Sequence, residues 1–220
     1  MNGPDAFDYR RQRMVEALRL AGIRSEDVLH AIGEVPRHLF VPESFRHQAY
    51  EPEVSINIGD GQTISQPIIV ARMTEAARVR PGDRVLEVGT GSGYQAAVLA
   101  RMAQFVFSVE RIPSLARAAK QRLDTLGYEN VSVKVMDGTL GWRAQAPFAA
   151  IVVTAAAPEI PGPLVDQLAD GGRLVVPVGA RDTQVLTVVE RSGARRTVTR
   201  LTGACFVPLI GRHGWEAESE

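Results

Sequence analysis

The sequence predicts an α/β fold. Its core is a doubly wound, mostly parallel seven-stranded sheet, with a C-terminal antiparallel hairpin and an N-terminal helical cap. Three observations carry this. From residue 84 to 178, short apolar β-type runs alternate with helix-forming segments, the pattern of βαβ units. The first run passes into a helix through Gly89-Thr90-Gly91-Ser92-Gly93. The last two runs, 183–190 and 197–208, follow one another through a turn near Ser192-Gly193.

The elements follow in order. Residues 5–22 read as an amphipathic helix, with Met14, Val15, Leu18 and Ala21 on one face and Gly22 as its stop. Ser25-Glu26-Asp27 begins a second helix as an N-cap followed by two acids, and Pro36 ends it. Pro42 and Pro52 bracket a short piece around Phe45 and Tyr50. This region reads as a cap on the main body, or as one wall of a substrate site. Val54 to Ile58 alternates as a strand does, and Gly59-Asp60-Gly61 turns. Ile68 to Val79 is a helix with Pro67 in its first turn, where proline costs little. Ser65 before it suits an N-cap, and the residues alone favour that over a catalytic role, although the two are compatible.

Strands then fall at 84–88, 104–110, 131–136, 148–153 and 172–178, with helices at 94–103, 113–127 and 161–168. The run Phe148 to Val153 is almost wholly apolar, as a strand covered on both faces requires. Residues 216–220 read as a disordered acidic tail. No internal repeat or low-complexity linker is present. One domain is expected over 1–220: a cap and substrate-loop region at 1–67, a cofactor-binding core at 68–212 and a tail at 213–220.

Composition narrows the function. Hydrophobic residues make up 45% of the 220, enough for a substantial core. No apolar run reaches the ~18 residues of a membrane span, and Met1 to Arg13 does not read as a signal peptide. Lys plus Arg and Asp plus Glu number 25 each, which argues against a general nucleic-acid binder while leaving room for a local basic patch. Cys205 is the single cysteine, and His30, His38, His47 and His213 lack metal-ligand spacing. A cytoplasmic protein without a metal is expected; the sequence leaves its oligomeric state open.

Ligands of such sheets bind at the C-terminal ends of the strands, at the topological switch point. The glycine loop lies at one such end. Glu110 lies at the next, about 20 residues on, where a ribose-binding carboxylate is usual. Asp137-Gly138 ends the third strand, and alone would read as a turn. A dinucleotide fingerprint places its last glycine one residue further on, where this chain has Tyr94. The Gly-x-Gly-x-Gly form preceded by Glu87 resembles motif one of the S-adenosylmethionine-dependent methyltransferases, which have a Rossmann-like sheet. That resemblance implies a loop packed on the methionine part of the cofactor, Glu110 on the ribose and Asp137 beside the adenine. The segment Thr154-Ala155-Ala156-Ala157-Pro158 lacks the polar and aromatic groups that grip a planar amine, so nucleic-acid base methylation is disfavoured.

The segments Val35 to Pro42, Gly61 to Pro67, Val85 to Tyr94, Val109-Glu110-Arg111, Ile151 to Ala156 and Phe206 to Leu209 together resemble the protein-L-isoaspartate O-methyltransferase family. The likeness runs from about residue 10 to residue 210, and Thr-Ile-Ser-Gln-Pro is its specific part. It implies methyl transfer to the α-carboxylate of L-isoaspartyl residues in damaged proteins, giving an ester that cyclises and begins repair. It makes Ser65 catalytic and Thr63, Ile64 and Val207 substrate-binding. It makes Gln66, Gly89, Thr90, Gly91, Ser92, Gly93, Glu110, Arg111, Asp137 and Gly138 cofactor-binding. S-adenosylmethionine is the implied cofactor, S-adenosylhomocysteine its product, and isoaspartyl proteins and peptides the partners. Ile68, Met136 and Thr139 depart from common residues of the family, which bears on pocket shape. The family also implies an altered order of the last strands. A related enzyme acting on another peptide carboxylate, and a scaffold that keeps the fold without catalysis, are the alternatives.

Overall fold

The structure, a computed structural model, describes residues 6–216. The expected acidic tail lies outside these residues except for Glu216. Helix α1 (Ala6–Leu20) buries Met14 and Leu18. Helix α2 (Glu26–Glu34) starts as its sequence requires: the Ser25 side chain accepts the Val28 N–H at 3.4 Å, and Val28, Leu29, Ala31 and Ile32 are buried. Two 3₁₀ turns follow at Arg37–Phe40 and Glu43–Gln48, each entered from a proline. Strands β1 (Ile56–Gly59) and β2 (Gln62–Ile64) form an antiparallel hairpin with Ile56 opposite Ile64.

Helix α3 (Pro67–Ala77) has Gln66, not Ser65, as its N-cap residue, with no side-chain cap bond. The capping role suggested for Ser65 is therefore not realised. Proline as the first helical residue needs no donor there, so the helix starts without a hydroxyl cap. Glu75 of α3 accepts the backbone N–H groups of Arg24 and Ser25, each at 2.7 Å, and so pins the N-terminal cap to the body. Ser25→Ala is expected to cost about 1 kcal/mol of stability, measurable by urea denaturation; an unchanged midpoint would remove the cap from the account.

The main sheet is built from β3 (Arg84–Val88), β4 (Phe105–Glu110), β5 (Val131–Val135), β6 (Phe148–Val153), β7 (Leu168–Ala180), β8 (Thr183–Ser192) and β9 (Arg195–Ala204). Helices α4 (Tyr94–Ala100), α5 (Pro113–Thr125) and α6 (Gly162–Asp166) lie among them in sequence. Strand order is β5-β4-β3-β6-β7-β8-β9. Pairs from β5 through β7 are parallel, and the β7-β8 and β8-β9 pairs are antiparallel. The expected hairpin is thus a three-stranded meander, and its spatial order follows the chain. The chain winds outward from β3 through β4 to β5, then returns to β6 on the other side of β3. That reversal puts the switch point between β3 and β6. Period-two alternation splits the core: Val85, Val106, Ala150 and Val152 face one layer, and Leu86, Val88, Phe107, Val109, Ile151 and Val153 the other. No helix among the described residues is long and apolar enough to cross a membrane.

Three stretches differ from the sequence reading. Strand β7 begins at Leu168, inside the expected helix, and its register against β6 shifts between Phe148 and Ala150. Gly172 permits this, because a Cβ there would lie 2.9 Å from the Ala169 carbonyl oxygen and 3.0 Å from that of Phe148. Strand β9 ends at Ala204 rather than Pro208. The buried Gln184 side chain takes the Phe206 N–H at 2.8 Å, and Ala156 exchanges bonds with Val207 and Leu209, each 2.8 Å. Residues 205–210 therefore turn back over the strand ends. His213 to Trp215, placed in a tail, are tied down: His213 N–H donates to Thr139 Oγ1 and the Trp215 indole N–H to the Ala156 carbonyl, both at 3.1 Å.

Candidate functional site

Two clefts open at the C-terminal ends of the parallel strands. The first, of ≈ 490 Å³, is lined by Val88, Gly89, Gly91, Val109, Glu110, Arg111, Ile112, Gly138 and residues 207–210 among others, a size suited to a cofactor. The second, of ≈ 460 Å³, is lined by Ser55, Ser65, Gln66, Ile69 and residues 203–206 among others. Thr63, Thr154 and Val207 line both. They form the partition where one cleft meets the other. A small cavity of ≈ 40 Å³ adjoins them, touching Ile64, Ser65, Thr90, Ser92, Tyr94 and Gln95.

The glycine loop is shaped by its backbone. Gly89 has φ +96°, and a Cβ there would collide with Thr154 Oγ1. Gly93 has φ +89° and forms the N-cap of α4 against Ala119 and Leu123. Both conformations favour glycine. Glu110 ends β4 as its spacing predicts. One carboxylate oxygen accepts the Gly91 N–H at 2.9 Å and the other the Ile112 N–H at 3.0 Å. Each oxygen has further acceptor capacity, so the group can take hydroxyl donors in the cleft. A Cβ at Gly138 would collide with Val88, so that wall needs glycine to lie so close.

The register of β3 on β4 sets Glu87 beside Ser108. Glu87 is fully buried and accepts the Ser108 hydroxyl, and Ser108 Oγ lies 2.5 Å from Thr90 Oγ1. The other Glu87 oxygen has no hydrogen-bond partner. Burial pushes this carboxyl up to about 8; the Ser108 bond opposes the rise, and the charge of Glu110 adds to it. Glu87 holds Ser108, and Ser108 in turn meets Thr90 from behind the loop.

The predicted residues divide accordingly. Gly89, Gly91, Glu110, Arg111 and Gly138 line the first cleft. Thr90 and Ser92 line the small cavity. Gln66, expected at the cofactor, lines the second cleft beside Ser65 instead. Gly93 and Asp137 line none of the three. Asp137 accepts the Thr139 N–H and hydroxyl, at 2.9 and 2.7 Å, and the Arg212 N–H at 2.9 Å. Partial burial raises its pKa, but these bonds outweigh that and hold it below the usual carboxylate value. The bonds fasten residues 211–213 beside it, and Oδ2, which takes the single Arg212 bond, keeps further acceptor capacity. Ser65 Oγ makes no hydrogen bond among the described residues and faces both the second cleft and the small cavity. The Ile64 side chain is buried, which leaves chiefly its backbone to a substrate.

Thr154 was not among the predicted site residues. Its hydroxyl donates to the Gly89 carbonyl at 2.6 Å and contacts that of Val88 at 3.1 Å, holding the loop to the end of β6. Its position after an apolar strand was the available signal. Arg181 and Ile112 also line the first cleft without a local motif. Among the described residues, no three of His, Cys, Asp and Glu gather as a metal site.

A doubly wound sheet that ends in an antiparallel meander, with a Gly-x-Gly-x-Gly loop at its switch point, a carboxylate at the next strand end and an adjoining second cleft, has the architecture of the S-adenosylmethionine-dependent methyltransferase class. The comparisons narrow this. The family model described as Protein-L-isoaspartate(D-aspartate) O-methyltransferase matches residues 9–214. A protein-L-isoaspartate O-methyltransferase of Methanoculleus marisnigri is 55% identical over 216 residues, covering 97% of each chain. One from Syntrophobacter fumaroxidans is 54% identical over 211 residues, covering 96% of this chain and 98% of its own. A solved protein-L-isoaspartate O-methyltransferase superposes with TM-score 0.82 at 29% identity, over 93% of this chain and 67% of that one. A Plasmodium falciparum structure assigned to the same activity, in complex with S-adenosyl-L-homocysteine, gives TM-score 0.77 at 27% identity, over 91% and 98%. The chain belongs to the protein-L-isoaspartate O-methyltransferase family.

Proposed function

We propose that the first cleft holds S-adenosylmethionine, that the second holds an isoaspartyl peptide, and that Ser65 aims the acceptor carboxylate across the partition between them. The activity is methylation of the α-carboxylate of L-isoaspartyl residues, the first step of their repair. One observation supports the assignment of roles above the others: two clefts meet at Thr63, Thr154 and Val207, with the uncommitted hydroxyl of Ser65 in the second. When bound, the cofactor supplies a methyl group activated on a sulfonium. A carboxylate acceptor is ionised at neutral pH, with a reference pKa of ~4, so the protein need not remove a proton. What its residues must do is align and exclude water. Ser65 donates a hydrogen bond to the carboxylate. Thr63 and nearby backbone N–H groups hold the peptide main chain. Glu110 accepts from ribose hydroxyls, and Val88, Val109, Ile112, Pro208 and Leu209 supply an apolar wall.

The division into a cap and substrate region (1–67) and a cofactor core (68–212) follows the same roles. The partners are proteins and peptides carrying isoaspartyl residues.

The test is incubation with methyl-labelled S-adenosylmethionine and paired peptides containing aspartate or isoaspartate. Base-labile label on the isoaspartyl peptide alone is expected. Label on another carboxylate only, or none despite cofactor binding, would overturn the reading. Glu110→Ala is expected to weaken S-adenosylhomocysteine binding by about 1.5–3 kcal/mol. Equal affinity by calorimetry would remove Glu110 from the cofactor site.

A further inference from the structure

Arg37 is fully buried, although it lies outside both clefts. Among the described residues no carboxylate pairs with it. Its Nε donates to the Ala49 carbonyl and its Nη2 to the Ser65 carbonyl, each at 2.7 Å. Its guanidinium carbon sits 4.6 Å from the centre of the Tyr94 ring. Nη1 has no hydrogen-bond partner, and neither has the Tyr94 hydroxyl. Burial lowers the guanidinium to about 10, which leaves it charged at neutral pH. A buried charge without a counter-ion is costly, and an apolar residue would fill the same volume without that cost.

What the guanidinium holds gives its use. The bond to the Ser65 carbonyl sets the peptide plane after Ser65. The plane before it is set by pairing of Ile64 with Ile56 in the β1-β2 hairpin. With both flanking planes held, the Cα–Cβ direction of Ser65 is held too. The Tyr94 ring beneath the guanidinium belongs to the first residue of α4, directly after the glycine loop. One planar cation therefore references the acceptor-side serine to the donor-side loop. Lysine cannot reproduce this, since an ammonium lacks the fork and the flat face.

We infer that Arg37 is a positioning residue for methyl transfer, which sets the direction of Ser65 relative to the cofactor loop through the Ser65 carbonyl and the Tyr94 ring. This rests on the reading of Ser65 as the residue that aims the acceptor. The test is a double-mutant cycle of Arg37→Lys and Ser65→Ala, with kcat, peptide KM and S-adenosylhomocysteine affinity measured for each protein. Arg37→Lys is expected to lower kcat between about tenfold and 100-fold without weakening S-adenosylhomocysteine. In the Ser65→Ala background it is expected to lower kcat little further, because the two residues act as one unit. The same loss in both backgrounds, an unchanged kcat, or cofactor affinity falling in step with kcat would overturn the inference while leaving Ser65 in place. A Ser65→Ala protein with full kcat would overturn the Ser65 reading and this inference with it. If Arg37→Lys does not fold, Tyr94→Leu removes the stacking face and keeps the arginine. Its loss of kcat is then expected to vanish in the Ser65→Ala background, and persistence there would overturn the inference.

Discussion

Replacing Ser65 with alanine is expected to lower kcat about 100-fold, or ~2.7 kcal/mol, the scale of losing one aimed donor at a reacting centre. S-adenosylhomocysteine affinity is expected to stay at the parent value. The separation follows from geometry. Ser65 lines the second cleft and the small cavity but not the first cleft. It does not cap α3, so its loss leaves that helix start intact, and the stability change is expected to be small. A donor hydrogen bond aligns a carboxylate that otherwise rotates and solvates freely, and alignment is most of what this reaction asks of the protein. Steady-state kinetics on an isoaspartyl peptide, with calorimetry on S-adenosylhomocysteine, checks both halves. Undiminished kcat would remove Ser65 from catalysis. A parallel fall in cofactor affinity would move it to the donor side.

Glu87→Gln is expected to change the pH dependence of stability. The folded carboxyl is raised from 4.5 to about 8, so between these values the native state keeps a proton that the unfolded chain has released. Stability from this group is therefore fully present below the unfolded value and is lost as pH rises through about 8. The loss is on the order of 3–5 kcal/mol, large against the 5–15 kcal/mol typical of a folded domain. Glutamine stays neutral and removes that slope. The variant's advantage over the parent is expected to be small near pH ~5 and largest near pH ~8.5. Chemical denaturation across that range measures it, and parallel pH profiles for the two proteins would show that Glu87 is ionised in both states.

The first cleft was legible because its residues are local to strand ends. Glu110 follows from βαβ spacing, and the glycine loop from the chemistry of a strand-to-helix turn. Asp137 shows the limit of the same logic. It follows the third strand by two residues and caps the next turn, and Arg212, far along the chain, donates to its carboxylate; no local pattern announces a partner at that distance. Ser65 was ambiguous for a different reason. Serine before a helix favours the cap when the residues are read alone, and only the backbone at Gln66-Pro67 shows that the helix starts one residue later without it. Thr154 sits in a segment read for what it lacked, and its hydroxyl acquires a role only because β6 lies beside β3.

The sequence by itself determined the alternation of strands and helices, the glycine loop and the acid at the next strand end, and the family resemblance, since periodicity, glycine placement and short spacings are properties of neighbouring residues. Tertiary structure alone decided that 205–210 folds back over the strand ends, that two clefts meet at Thr63, Thr154 and Val207, and that a buried Arg37 bonds the Ser65 carbonyl and stacks on Tyr94 beside the glycine loop. Each of these depends on groups far apart in sequence satisfying one another's hydrogen bonds in the interior. Local preference carries no record of such pairings before the chain has packed.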